Sequence, residues 1–241
     1  MSSSKPKYEP FRFKQFLVHH DLCSMKIGVD GVLLGAWANV TGCKNILDVG
    51  TGSGVIALMM AQRNSFAKIQ AIDIDENAFR QTEINFNLSP WKDRLHLQHI
   101  DFSDFISEEK FDLIISNPPY FSNSSLSTDP SRNTARHSIF LGLEKLVEQA
   151  SNILQPDGKL CLIYPFEGLA EIEALTSGMH LSIKKLTLVK PKASNPPKRI
   201  LVEITRQAQA QRFENELVIE MNHNEFSPAY RELTKDFYLK F

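Results

Sequence analysis

The 241-residue sequence lacks several things, and each absence closes off a class of function. It has only three cysteines, Cys23, Cys43 and Cys161, too few and too scattered for a disulfide or zinc framework, and a reducing cytoplasm fits. Its seven histidines fall at no metal-ligand spacing, His19-His20 reads as a polar surface pair, and no metal is expected. No apolar run approaches a membrane span. The opening Met1-Ser2-Ser3-Ser4-Lys5-Pro6-Lys7 has no hydrophobic segment of the secretory kind, so neither membrane nor export is expected. No charge of one sign dominates, with 27 Lys and Arg against 28 Asp and Glu, a net charge of −1. A basic footprint is usual for a nucleic-acid partner, so the sum argues mildly against one. Internal repeats are absent, and so is G-x-x-x-x-G-K-[ST], which excludes a phosphate-cradling P-loop.

What is present fits a globular α/β chain. The hydrophobic share of 42% supports a substantial core, and the length suits one large domain with small additions. Residues 1–10 are rich in Ser, Lys and Pro and read as a disordered tail, leaving 11–241 as a single domain. Strands are expected at 45–49, 68–72, 95–100, 111–116 and 159–164, with helices at 54–62, 76–87 and 138–154 between them. Gln155-Pro156-Asp157-Gly158 should stop the last of these helices. A helix near 168–177 leads to two strands, 181–189 and 200–206, and residues 213–241 add a short strand and a terminal helix. Alternating β and α units imply a mostly parallel sheet with right-handed crossovers. Residues 121–137 are polar and aperiodic, and a loop of that length is usually a lid or binding loop.

The most informative stretch is Asn117-Pro118-Pro119-Tyr120, which follows the apolar run 111–116. A residue before proline is pushed into an extended conformation, so Asn117 is held at a strand's carboxyl end, where open α/β sheets place ligands. Neither proline has an N–H, so the turn offers carbonyl oxygens and few donors. One amide oxygen, bare carbonyls and a tyrosine ring suit a planar NH₂ group. Taken alone, the tetrapeptide is equally an ordinary proline turn.

Upstream motifs break that tie. Ile46-Leu47-Asp48-Val49-Gly50-Thr51-Gly52-Ser53-Gly54 reads as a strand ending in a glycine turn that opens a helix, the entry to a nucleoside-binding unit. Its spacing is G-x-G-x-G, not the G-x-G-x-x-G of nicotinamide and flavin sites. Asp73 ends the next strand, where a carboxylate can accept hydrogen bonds from both ribose hydroxyls. Asp75 caps the following helix. Asp101-Phe102 ends the third strand, where the carboxylate can accept from an adenine amine and the ring can cover a base. A plain strand-end turn residue is the competing, lesser reading of Asp101.

With these residues in place, the chain resembles the S-adenosylmethionine-dependent methyltransferases that act on amino nitrogens. Phe11 to Phe16, Met25 to Trp37 and the ending Ser227-Pro228-Ala229-Tyr230-Arg231 to Phe241 further resemble the bacterial tRNA1(Val) adenine-N6 methyltransferases, over nearly the whole chain. Val29 departs from the pattern, standing where many relatives have threonine. The resemblance implies a Rossmann-like class I fold: a mostly parallel seven-stranded sheet with helices on both faces and an antiparallel last strand. It implies S-adenosylmethionine as cofactor, held by Asp48, Gly50, Gly52, Gly54, Asp73, Asp101, Phe102 and Asn117. Asn117, Pro118 and Tyr120 would be the catalytic group, Tyr120 stacking on a flipped-out base. The implied reaction is N6-methylation of adenine 37 of a tRNA, by a cytoplasmic monomer.

The charge distribution supports an RNA partner better than the sum does. Between Lys184 and Arg212 eight basic residues face Glu203 alone, and the first eighteen residues add four against Glu9. Lys190, Lys192, Lys198 and Arg199 are candidate phosphate contacts, as are Arg132, Arg136 and His137 in the polar loop. Solvated strand edges and loop charges are the competing reading. Glutamine-N5 protein methylation fits the same tetrapeptide, but only about 40 residues precede the glycine turn, too few for the helical substrate domain usual there. Ribosomal RNA adenine or guanine methylation, and an RNA-binding module with a vestigial cofactor fold, stay open.

Overall fold

A computed structural model describes residues 9–23, 26–119, 142–207 and 211–240. The tail expected at 1–10 lies outside these residues except for its last two. So do the loop 121–137 and the first residues of the helix expected at 138–154.

The described chain opens with a small antiparallel pair, β1 (Phe11–Arg12) and β2 (Leu17–Val18), and helix α1 (Val29–Trp37). Then come β3 (Asn45–Val49), α2 (Val55–Arg63), β4 (Lys68–Asp73), α3 (Glu76–Leu88), β5 (Leu95–His99) and β6 (Phe111–Ser116). After residue 142 follow α4 (Leu143–Ile153), β7 (Leu154–Pro165), α5 (Leu169–Gly178), β8 (Ser182–Lys192), β9 (Arg199–Thr205), β10 (Phe213–Asn222), β11 (Glu225–Phe226) and α6 (Pro228–Thr234). The main sheet has the order β11-β10-β8-β9-β7-β6-β3-β4-β5.

Its parallel half, β7-β6-β3-β4-β5, and the antiparallel β9 between β7 and β8 match the expected class I topology. The seven expected strands are all present, and β10 and β11 extend the sheet to nine. β10 is also ten residues long, not a short strand, and pairs parallel with β8 from Phe213 to Glu220. Helix α4 ends at Ile153, just before Gln155, as expected, and residues 155–158 fall inside the span of β7. There the register with β6 jumps from Phe111↔Leu154 to Leu113↔Lys159, so Pro156 sits in a bulge where its missing N–H breaks no ladder. Gly158 is required at that bulge, since a Cβ would lie 2.7 Å from the Phe111 carbonyl oxygen.

The central strands are apolar almost throughout because helices cover both faces. Successive residues go to opposite sides: Ile46, Leu113 and Cys161 pack under α1 and α2, while Leu47, Ile114 and Leu160 pack under α4 and α5. Helix α1 is buried from Gly31 to Trp37 and packs so closely on α2 that a Cβ on Gly35 would lie 2.6 Å from Met59 Sδ. The parallel strands bring Val49, Asp73, His99 and Ser116 to one edge. Because β9 is antiparallel, its first residue joins that edge: Arg199 pairs with Pro165 on one side and with Val189 on the other.

Candidate functional site

The carboxyl ends of β3, β4, β5 and β6 surround a cavity of about 230 Å³. Gly50 and Gly52 form one rim, Asp73, Ile74 and Asp75 the next, Ile100, Asp101 and Phe102 the third, and Ser116, Asn117, Pro118 and Pro119 the fourth. Most of the candidate cofactor residues and the amine corner therefore share one space.

The glycine turn is shaped by its neighbours. The N–H groups of Gly50 and Thr51 both donate to the Ile72 carbonyl at 3.0 Å, which folds the turn back over β4. Gly50 and Gly52 have φ of 68° and 60°, in the left-handed region, and a Cβ on either would meet nothing within 4 Å. Below the turn Asp48 is fully buried; its Oδ2 accepts from Thr51 Oγ1 at 2.7 Å and from Ala57 N at 3.1 Å, while Oδ1 has no partner among the described residues. Burial pushes the Asp48 carboxyl up to about 7, against the lowering effect of those two hydrogen bonds.

Asp73 sits at the end of β4 with its carboxylate facing the turn. Oδ2 accepts from Gly52 N at 2.8 Å and Oδ1 from Asp75 N at 2.9 Å. A carboxylate has about four acceptor sites, so two remain for a ligand. Burial raises its pKa, partly offset by these N–H bonds. Asp75 caps α3 as expected, accepting from Asn77 N and Ala78 N at 2.8 and 2.9 Å. Asp101 caps the short turn Phe102–Asp104 through Oδ1, which accepts from Ser103 N and Oγ, and Oδ2 has no partner among the described residues. Gln149 of α4 holds that turn by donating to the carbonyls of Phe102 and Phe105.

At the fourth rim, Ser116 Oγ donates to the Val49 carbonyl at 2.8 Å and ties the end of β6 to the end of β3. Asn117 follows, half-buried, and its side-chain amide makes no hydrogen bond among the described residues. Tyr120, Arg132, Arg136 and His137 lie outside the described residues.

Two candidate cofactor residues do not line the cavity. Gly54 has φ of 80°, and a Cβ there would strike Phe86 at 2.8 Å, so this glycine serves the approach of α3 to α2. Asp48 lies beneath the turn rather than on the cavity wall. The candidate phosphate contacts Lys190, Lys192, Lys198 and Arg199 lie at the same edge of the sheet as Asn117, beyond β7. Two of them are engaged: Arg199 Nε donates to Asp30 Oδ2 at 2.8 Å, and Lys190 pairs with Glu216 at 2.7 Å. Lys192 is half-buried and Lys198 exposed, on the turn that joins β8 to β9. Cys23, Ile74 and Leu146 also line the cavity and carried no sequence signal. The Cys23 thiol is pushed up to about 12 by burial and by nearby Asp73 and Asp75.

Comparison with known proteins agrees with this geometry. The family model for the methyltransferase small domain matches residues 32–168. A tRNA1(Val) (adenine(37)-N6)-methyltransferase of Phocaeicola vulgatus is 45% identical over 95% of this chain and 97% of its own length. One of the same description from Christiangramia forsetii is 44% identical over 96% of this chain and 98% of its own length. Among solved structures, a predicted O-methyltransferase from Agrobacterium tumefaciens superposes with a TM-score of 0.69, covering 86% of this chain and 96% of its own, at 22% identity, a likeness of fold.

Proposed function

This chain belongs to the tRNA1(Val) (adenine(37)-N6)-methyltransferase family, and from that premise we propose that its cavity joins an adenosyl cofactor to a flipped adenine amine. The reaction is S-adenosylmethionine-dependent N6-methylation of adenine 37 in tRNA1(Val), and such a protein works in the cytoplasm, where its substrate is.

The residues present suit the cofactor. Gly50 and Gly52 both line the cavity, and a Cβ on either would meet no protein atom within 4 Å, so a ligand can approach their backbone closely. Asp73 keeps acceptor sites for two ribose hydroxyls, and Asp101 Oδ2 is open to an adenine amine. Ile74, Ile100 and Phe102 supply apolar surface for a purine ring. When bound, S-adenosylmethionine supplies an electrophilic methyl carbon on a sulfonium.

The chain's own task is to orient a poor nucleophile. The N6 lone pair of adenine is delocalised into its ring. Asn117 Oδ1 and the Pro118 carbonyl accept the two amine protons, which draws the nitrogen toward tetrahedral geometry and turns its lone pair into the cavity. Holding nucleophile and methyl carbon in line supplies much of the rate. The same two oxygens stabilise positive charge as it develops on nitrogen, and the proton leaves afterwards to water. Tyr120, next in the sequence, is assigned to stack on the extruded base, a contact worth about 1–3 kcal/mol in single-strand binding. Lys192 and Lys198 are assigned to the RNA backbone, because they lie at the edge that carries Asn117 and their side chains have no carboxylate partner among the described residues.

The observation that carries this reading is Asn117, its amide without a partner among the described residues, on the same cavity as Gly50, Gly52, Asp73 and Asp101. Its test is incubation of the purified protein with tRNA and methyl-labelled cofactor, followed by nucleoside mapping. Label in N6-methyladenosine at position 37 is the expected result; label on a ribose oxygen, or in protein alone, would refute it.

A further inference from the structure

Helix α3 turns a polar stripe toward the interior. Gln81, Thr82 and Asn85 are 2%, 0% and 0% exposed, and their hydrogen bonds reach main-chain groups of two separate segments. Asn85 Oδ1 accepts from His19 N at 2.8 Å, while its Nδ2 donates to the carbonyls of His19 and Ser53, both at 2.8 Å. One turn earlier, Gln81 Oε1 accepts from Leu22 N at 2.9 Å, and Thr82 Oγ1 donates to the Gly52 carbonyl at 2.8 Å. The segment 19–23 thus runs antiparallel along α3 and reaches the cavity, where Cys23 joins Asp73, Asp75 and Ala78 in the wall. The glycine turn forms the facing wall and hangs on the same stripe.

We propose that Asn85 is a positioning residue for the cofactor: it fixes the spacing between the 19–23 segment and the glycine turn, and so makes that segment a wall of the cofactor site. The proposal rests on the cofactor reading above and extends it to residues that touch neither cofactor nor substrate. The chemistry is specific to an amide. One acceptor and two donors are engaged, and an aspartate of the same shape would turn an oxygen toward two buried carbonyls. Gln81 contributes a single acceptor bond to this segment, which a glutamate would keep.

The test is titration of the full chain with S-adenosylhomocysteine by calorimetry, with amide hydrogen exchange read in parallel. In the unaltered protein, the ligand should slow exchange at His19 and Leu22 as well as at Gly52. Asn85→Asp should raise the ligand Kd by about tenfold or more, the consequence of leaving buried carbonyls unpaired, and should abolish the protection at His19. A merely structural Asn85 would lower the melting temperature and leave the Kd of the folded protein unchanged; that result would overturn the proposal. If Asn85→Asp does not fold, exchange in the unaltered protein decides: ligand binding without protection at His19 and Leu22 overturns it. No binding by the unaltered protein would remove the cofactor reading and this inference together.

Discussion

Around the glycine turn most polar groups are engaged within the protein, whereas the Asn117 side chain, one strand away, has no hydrogen-bond partner among the described residues. Asp48 is tied to Thr51 and Ala57, and Asp73 to Gly52 and Asp75. Thr82 and Asn85 are tied to the carbonyls of Gly52 and Ser53. By contrast, Ser116 fixes the end of β6 through the Val49 carbonyl, and beyond it the Asn117 amide has no partner among the described residues. Adjacent strands lie about 4.8 Å apart, so the two arrangements face one cavity. On the proposed reading the contrast separates two jobs: the braced side would hold a ligand in a fixed frame, and the other side would keep its oxygens for a group that arrives with protons to give.

The sharpest way to break this comparison is Asn117→Ala. Turnover should fall by about 10²–10³-fold, the range seen when one preorganised polar contact to a developing charge is removed. Affinity for S-adenosylhomocysteine, measured by calorimetry, should stay unchanged. Equal losses in both would mean that the two sides are not separate. Asp73→Ala is the mirror experiment: affinity should drop by about 10- to 100-fold as hydrogen bonds to a carboxylate are lost, with kcat at saturating cofactor largely kept. A lowered kcat at unchanged affinity would count against the ribose role.

Smaller effects sharpen the picture. Replacing both Lys192 and Lys198 by alanine should raise the KM for tRNA and reduce the slope of log affinity against log salt by about 2, while leaving cofactor affinity alone. An unchanged salt slope would place the RNA elsewhere. The smallest effect is expected at Asp48. Burial raises its pKa from an ordinary carboxylate value to about 7, so the folded chain holds an extra proton between these two values. Its contribution therefore favours folding at low pH and is lost as pH rises through about 7. Thermal melts between pH 5 and 8 should show this slope in the unaltered protein and a flatter one in Asp48→Asn, at conditions of about equal ionic strength. A steeper slope in the variant would contradict the assignment.

How far the sequence revealed this depends on the range of the forces involved. The glycine turn, Asp73 and Asn117 were legible because each sits where an apolar strand ends, and that signal is local. Gly54 carried the same local signal, yet its reason is the ring of Phe86 on another helix. Helix α1 escaped because it is buried on nearly every side and shows no amphipathic period. β10 is longer than its pattern implies because only Leu217 is buried and the strand is held by main-chain pairing with β8. Arg199 read as a free cation, but its partner Asp30 lies 169 positions away. Cys23 lies on the cavity wall at the end of a segment bonded to Asn85 and Gln81, contacts that span about 60 positions of sequence.

The central claim is that the Asn117 amide oxygen receives the adenine amine, and a chemical double-mutant cycle addresses it directly. Binding of two anticodon stem-loop oligonucleotides, one with adenine at the target and one with purine lacking the amino group, is measured on the unaltered protein and on Asn117→Ala. The account predicts that the unaltered protein prefers adenine by a coupling of about 1 kcal/mol or more, and that the preference disappears in the variant. The same preference in both proteins would contradict it.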